Sequence, residues 1–149
     1  LQTSGPTVTL TSMGAQTTGF TASTLATYTF QLTVSDGKDQ SSSTVSVDTV
    51  AFKMTAGSSY KRLGKVNTPV KWSYAENWVK PTDRVSLRYS QDGTHWTRMI
   101  VSSLLAKKGS YDWKPKASVG LGNGFLQACV MSSLQKATYC DSAPVSISK

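Results

Sequence analysis

Few side chains in this chain have the type and spacing for chemistry, and most of those that do sit in turns. The single histidine, His95, lies between Thr94 and Trp96 beside Asp92-Gly93, with no Ser or Cys nucleophile motif near it. It reads as an exposed turn histidine rather than a general base. The eight acidic residues are scattered, and no pair stands in a context for glycosidase-type acid/base work. Asp36 and Asp39 in SDGKDQ (35–40) offer a calcium ion two carboxylates, a thin shell for a cation that takes about six to eight oxygens. Their expected role is turn capping. No phosphate-binding loop or dinucleotide fingerprint is present. The chain is therefore expected not to be an enzyme, with neither a metal nor a cofactor.

The two cysteines, Cys129 and Cys140, carry more information. There is no CxxC motif or Cys/His cluster, which excludes zinc and haem attachment for this segment. If GFLQACVMSS and ATYCDSAPVSI form a hairpin, a four-residue loop Ser133–Lys136 pairs 132 with 137, and 129 then faces 140. The same register places Leu126, Ala128 and Val130 on the face that carries Val145 and Ile147. That agreement predicts a disulfide contributing roughly 3 kcal/mol and, with it, an oxidising compartment. Two unpaired thiols in a cytosolic protein are the alternative.

The elements that must position these residues are strands. Helical periodicity is almost absent, and short alternating runs recur between Gly, Pro, Asp and Ser. In ATYTFQLTVS, Tyr28, Phe30, Leu32 and Val34 alternate with Thr27, Thr29, Gln31 and Thr33. The turn SDGKDQ follows, then a return strand with Val45 and Val47 on one face, which makes a hairpin. Ahead of it, Thr3-Ser4-Gly5-Pro6 reads as a turn that leads into an alternating strand from Thr7. Later strands are expected around 51–55, 59–63, 67–74, 84–90, 95–101, 109–114, 124–132 and 139–148, with GLGNG (120–124) as a turn. Pro81, Pro115 and Pro144 fall at strand ends or edges. Trp72 is the expected central core aromatic, Tyr111 and Trp113 share a face, and Trp96 returns to the core or its rim.

Charge is divided unevenly. Residues 1–50 hold one Lys against three Asp, a net of −2, whereas residues 51–149 hold fifteen Lys and Arg against five acids, a net of +10. The first part is also rich in Ser and Thr, a composition common in secreted and cell-surface proteins. With no flexible spacer near residue 50, two modules in a stiff arrangement are expected. Lys61, Arg62, Lys65, Lys80, Arg84, Lys107 and Lys108 are the candidate basic surface. Such a surface is either generally solvated or concentrates acidic polymers. Trp78 in YAENWVKP is left over by the strand pattern: it either stacks on a sugar ring, backed by Lys80 and Arg84, or caps the open edge of the core. No apolar run approaches the ~20 residues of a membrane span.

Two resemblances follow. QTSGPTVTL with TYTFQLTVSDGKDQSSSTVSV resembles the second half of a polycystic-kidney-disease-type immunoglobulin-fold module over residues 2–50. The family's first strands and its Trp have no counterpart here. This implies a module lacking its first strands: they are cut or left out, another chain supplies them, or the half-module pairs differently. GSSYKRLG, VKWSY, VSLRYSQDGTHW and GSYDWKP, in that order over 51–148, resemble the immunoglobulin-like module of bacterial surface proteins and of the fungal Ser/Thr-rich, GPI-anchored cell-wall family. The resemblances imply tandem all-β immunoglobulin-like sandwiches, the first, 1–50, incomplete and the second, 51–149, basic. They point to a non-catalytic extracellular or cell-surface module for structure, adhesion or assembly, with a protein partner or neighbouring subunit. The alternatives are a polysaccharide-binding accessory region of a secreted degrading enzyme, and electrostatic attachment to an acidic polymer, without specificity for nucleic acid.

Overall fold

Alternation builds the first sheet. In the structure, a computed structural model that describes residues 1–62 and 68–149, β2 (Thr27–Ser35) and β3 (Gln40–Asp48) form an antiparallel hairpin with Tyr28 opposite Val47 and Phe30 opposite Val45. Gly37 takes a φ of 92° in the connecting turn, where Asp36 Oδ1 accepts the N–H groups of Lys38 at 2.9 Å and Asp39 at 2.8 Å. These bonds hold the Asp36 carboxyl below its ordinary range. One face of the hairpin is a ladder of hydroxyls: Thr29 with Ser46 at 3.1 Å, and Thr33 with Ser42 at 3.0 Å. The other face is apolar, and Phe20 covers part of it, with ring centroids 5.2 Å from Tyr28 and 4.9 Å from Phe30.

β1 (Gln2–Ser4) completes this three-stranded sheet beside β2. The expected Thr3–Pro6 turn is confined to Gly5 and Pro6, because Thr3 and Ser4 belong to β1, and the strand expected after it is not formed. The Gln2 side chain wraps the turn, donating to the carbonyls of Ser4, Gly5 and Pro6, and its Oε1 takes the Val8 N–H at 3.1 Å. Only an isolated bridge, Leu10 with Phe20, remains of the pairing.

The chain divides into two compact units, Leu1–Val50 and Ala51–Lys149. In the second, two sheets enclose one core. One has five strands in the order β5 (Ser59–Lys61), β11 (Ala137–Ser148), β10 (Gly122–Ser132), β7 (Arg84–Ser90) and β8 (Arg98–Leu105). The other joins β4 (Phe52–Thr55), β6 (Val70–Tyr74) and β9 (Ser110–Tyr111). Phe52, Met54, Val70 and Trp72 from the smaller sheet meet Tyr60, Val85, Leu87, Tyr89, Leu126, Ala128, Val130, Val145 and Ile147 from the larger. Trp72 is buried, and its Nε1 donates to the Ala106 carbonyl at 2.8 Å, so the largest ring of β6 leaves no unpaired donor in the core. Trp113 is buried against Tyr60 and Tyr89, with Tyr111 half-buried beside it, whereas Trp96 does not join the core. The architecture is an all-β sandwich with a single 3-10 turn, Ala106–Lys108, among the described residues.

Several boundaries differ from expectation. GLGNG is not a turn throughout: β10 begins at Gly122, and Gly124 pairs with Val145. The reason is packing, because Tyr89 lies over Gly124, and the missing side chain makes room for that ring. β8 runs later than expected, 98–105, because Asp92 organises a longer connection after β7. β9 is only two residues long, and β5 pairs with β11 in parallel, Ile147 beside Tyr60. Residues 63 and 67, the inner ends of two expected strands, lie outside the described residues.

Candidate functional site

The 133–136 loop closes the β10–β11 hairpin with Lys136 at a φ of 52°, a left-handed position that reverses the chain tightly. Ser132 therefore pairs with Ala137, and Cys129 with Cys140. The two sulfurs are bonded at 2.05 Å with Cα atoms 4.1 Å apart. Because Ala128 and Val130 point into the core, the disulfide lies on the outer face of the five-stranded sheet, with Cys140 exposed.

The side chains with acid/base potential hold turns. Asp92 Oδ1 accepts the N–H groups of His95 and Thr94, each at 2.8 Å, and the Ser90 hydroxyl at 2.8 Å. Its Oδ2 lies 2.5 Å from His95 Nδ1. The His95 N–H, the His95 ring and the other donors hold the Asp92 carboxyl well below the carboxylate range. Gly93 follows at a φ of 79° with its backbone against the Phe125 ring. His95 is exposed, and its Nδ1 also lies 3.0 Å from the Thr94 hydroxyl.

Sequence reasoning missed Asp83. It is 6% exposed, and its Oδ2 accepts the Lys80 N–H at 2.8 Å and the Ser133 N–H at 3.2 Å. Its carbonyl also receives the Ala106 N–H at 2.8 Å. Asp83 thus clamps the 75–83 segment to the β10–β11 loop and to the 3-10 turn. Burial alone would raise its pKa, but the hydrogen bonds outweigh it and hold the group below its ordinary value. The only earlier signal was an acid in a Pro-Thr-Asp turn, a common capping pattern.

Trp78 is half-buried at the edge of the core, edge-to-face with Tyr139 at 6.4 Å, and its carbonyl accepts the Ser132 hydroxyl. Lys80, Arg84, Lys107 and Lys108 come to one end of the sandwich, because Lys107 N–H donates to the Pro81 carbonyl at 3.0 Å and Arg84 pairs with Leu105. Lys108 Nζ sits 5.8 Å from the Tyr111 ring centroid. Lys61 is exposed on β5, whereas Arg62 is half-buried and donates to the Val119 carbonyl as an internal strut. Lys65 lies outside the described residues.

Two further surfaces emerge. On the β2–β3 hairpin, Leu32 is 64%, Val34 59% and Val45 57% exposed in one apolar row. In the second unit, Arg98, Lys114 and Lys116, absent from the sequence-derived basic set, converge on one pocket. No group of three or more metal-ligating side chains occurs among the described residues, and none of their helices is long and apolar enough to cross a membrane. No protein-family model and no curated protein matches this chain.

Proposed function

We propose that the chain is a non-catalytic part of an extracellular or cell-surface protein, serving structure, adhesion or assembly through contact with a neighbouring protein subunit. The observation that carries this reading is the exposed apolar row of the β2–β3 hairpin. Monomeric proteins rarely leave large contiguous apolar side chains in water unless a partner covers them. Here Leu32 and Val34 follow one another along β2, with Val45 diagonal to Leu32, on a sheet whose outer strand, β3, is exposed along all nine residues. An extended partner segment with alternating apolar residues has both ladder groups and an apolar surface to meet there. The cross-strand disulfide supports an oxidising compartment. The engagement of Asp36, Asp83 and Asp92 as backbone acceptors supports a structural rather than an acid/base role. The tandem immunoglobulin-like assignment belongs to this proposal and rests on the quoted motifs.

The test is sedimentation velocity over a wide concentration range, together with binding of a hydrophobic dye, for wild-type and the Leu32→Asp/Val45→Asp variant. Concentration-dependent association and dye binding, both lost in the variant, support the reading. A wild-type chain that stays monomeric and leaves the dye free in solution refutes it.

A further inference from the structure

A pocket of about 160 Å³ lies in the second unit between β8 and the 111–119 segment. Three cationic side chains line it: Arg98 at the start of β8, and Lys114 and Lys116 on either side of Pro115. Three like charges around so small a volume repel one another, and a bound anion would offset that repulsion. No ion pair joins Arg98, Lys114 or Lys116 to a carboxylate among the described residues. The guanidinium is also oriented: Arg98 Nη1 donates to Ser118 Oγ at 2.9 Å. That bond leaves most of the Arg98 donors, and the Ser118 hydroxyl proton, available to a ligand.

The rest of the lining differs in character. Half-buried Tyr111 and Ile100, with buried Trp113 and Val119, supply the apolar and aromatic part of the lining. Trp113 is held by tilted ring contacts with Tyr60 at 5.0 Å and Tyr89 at 5.7 Å, and Arg62 donates to the Val119 carbonyl. Tyr89 is itself 4% exposed, and its hydroxyl has no hydrogen-bond partner among the described residues. The apolar part of the lining thus rests on buried rings, whereas Arg98, Lys114, Lys116 and Ser118 are exposed at the pocket.

We infer that this pocket binds an oxyanion carried on a sugar ring, a sulfate or carboxylate group of an acidic glycan. The charges and the Ser118 hydroxyl meet the oxyanion, and the C–H face of the ring meets the half-buried Tyr111 ring. A free inorganic anion uses only the cationic side. The volume equals about five waters at ~30 Å³ each, room for one substituted ring and not for a polymer strand. Single-stranded nucleic acid is a poorer fit, since it needs open aromatic faces for successive bases, whereas Trp113 is buried and Lys108 covers a face of Tyr111. The site goes beyond the assembly reading and lies on a different unit from the apolar row, so either can fail without the other.

The test titrates the intact chain with a sulfated oligosaccharide, an oligogalacturonate, a neutral oligosaccharide of equal length, inorganic sulfate and single-stranded DNA, using calorimetry and Trp fluorescence. An acidic saccharide is expected to bind and the neutral one not. Arg98→Gln should weaken binding about tenfold, the worth of one charge-assisted hydrogen bond. Arg98→Gln/Lys114→Gln/Lys116→Gln should abolish it. Lys80→Gln/Lys107→Gln/Lys149→Gln, which removes the same charge elsewhere, should change affinity by less than about threefold. Lys116→Gln alone gives the same answer if the triple variant misfolds. The inference is overturned if no acidic saccharide binds, or if both charge-removing triples weaken binding equally. It is also overturned if inorganic sulfate binds as tightly as the saccharide, or if DNA binds as tightly with the same dependence on Arg98.

Discussion

Removing the cross-strand disulfide should lower the stability of the second unit by about 3 kcal/mol. The perturbation is Cys129→Ala/Cys140→Ala, or reduction followed by alkylation. The bridge closes a segment with a sequence separation of 11. In the chain-entropy estimate, that ring removes roughly 9 cal/mol/K from the unfolded ensemble, about 2.8 kcal/mol near 25 °C. The native state should lose little besides the bridge, because the eleven-residue β10–β11 register and the burial of Leu126, Ala128 and Val130 hold the hairpin independently. All four tryptophans lie between residues 72 and 113, so Trp fluorescence reports the second unit alone. With a urea m-value of ~1.5 kcal/mol/M, the unfolding midpoint should fall by about 2 M. A fall of less than ~0.5 M with an unchanged m-value would refute the reasoning, since the unfolded hairpin would then gain almost no freedom when the bridge is lost.

Further outcomes concern Asp83, the Gly124–Tyr89 contact and Trp72. Asp83→Ala should cost roughly 2–3 kcal/mol by orphaning the N–H groups of Lys80 and Ser133, as read by urea unfolding. Because the folded pKa of Asp83 is depressed, its contribution is present above its ordinary value of 3.8 and lost as pH falls through the lower folded value. Acid unfolding of the wild type should therefore steepen as pH falls from about 3.8 toward the folded value, and the variant should lose this component. Gly124→Ala should destabilise by about 1–3 kcal/mol in thermal melts, because its Cβ would lie 2.6 Å from Tyr89 Cζ, whereas Tyr89→Phe should be neutral or stabilising since the hydroxyl it removes has no partner. Trp72→Phe should cost roughly 2 kcal/mol from the cavity and the lost bond to Ala106, while Gly109 N–H still serves that carbonyl at 3.2 Å.

The chain's own alternation and turn residues determine much of this molecule. Tyr28-x-Phe30-x-Leu32 with Asp36-Gly37 specifies the first hairpin, because strand period and turn chemistry act over a few residues. The Cys129–Cys140 bridge was legible for a related reason: one register satisfies the loop length, the apolar face and the cysteines together. Asp92-Gly93 was legible as a turn, although not the length of the connection it organises.

What only the tertiary structure decided involves residues far apart in sequence. Even nearby, the Gln2 side chain takes the Pro6 carbonyl and the Val8 N–H that a neighbouring strand would use, a competition invisible to strand periodicity. Gly124 belongs to a strand and not to a turn because Tyr89, 35 positions earlier, needs the space above it. Arg62 looks like any surface cation in the sequence, yet it braces Val119 from inside. Asp83 serves Ser133 and Ala106 across three segments, and Arg98 meets Lys114 and Lys116 only when β8 passes the 111–119 segment. Local pattern sets which face of a strand is apolar, but the sharing of backbone donors, ring volume and charge among distant segments is set only when the sheets close on one another.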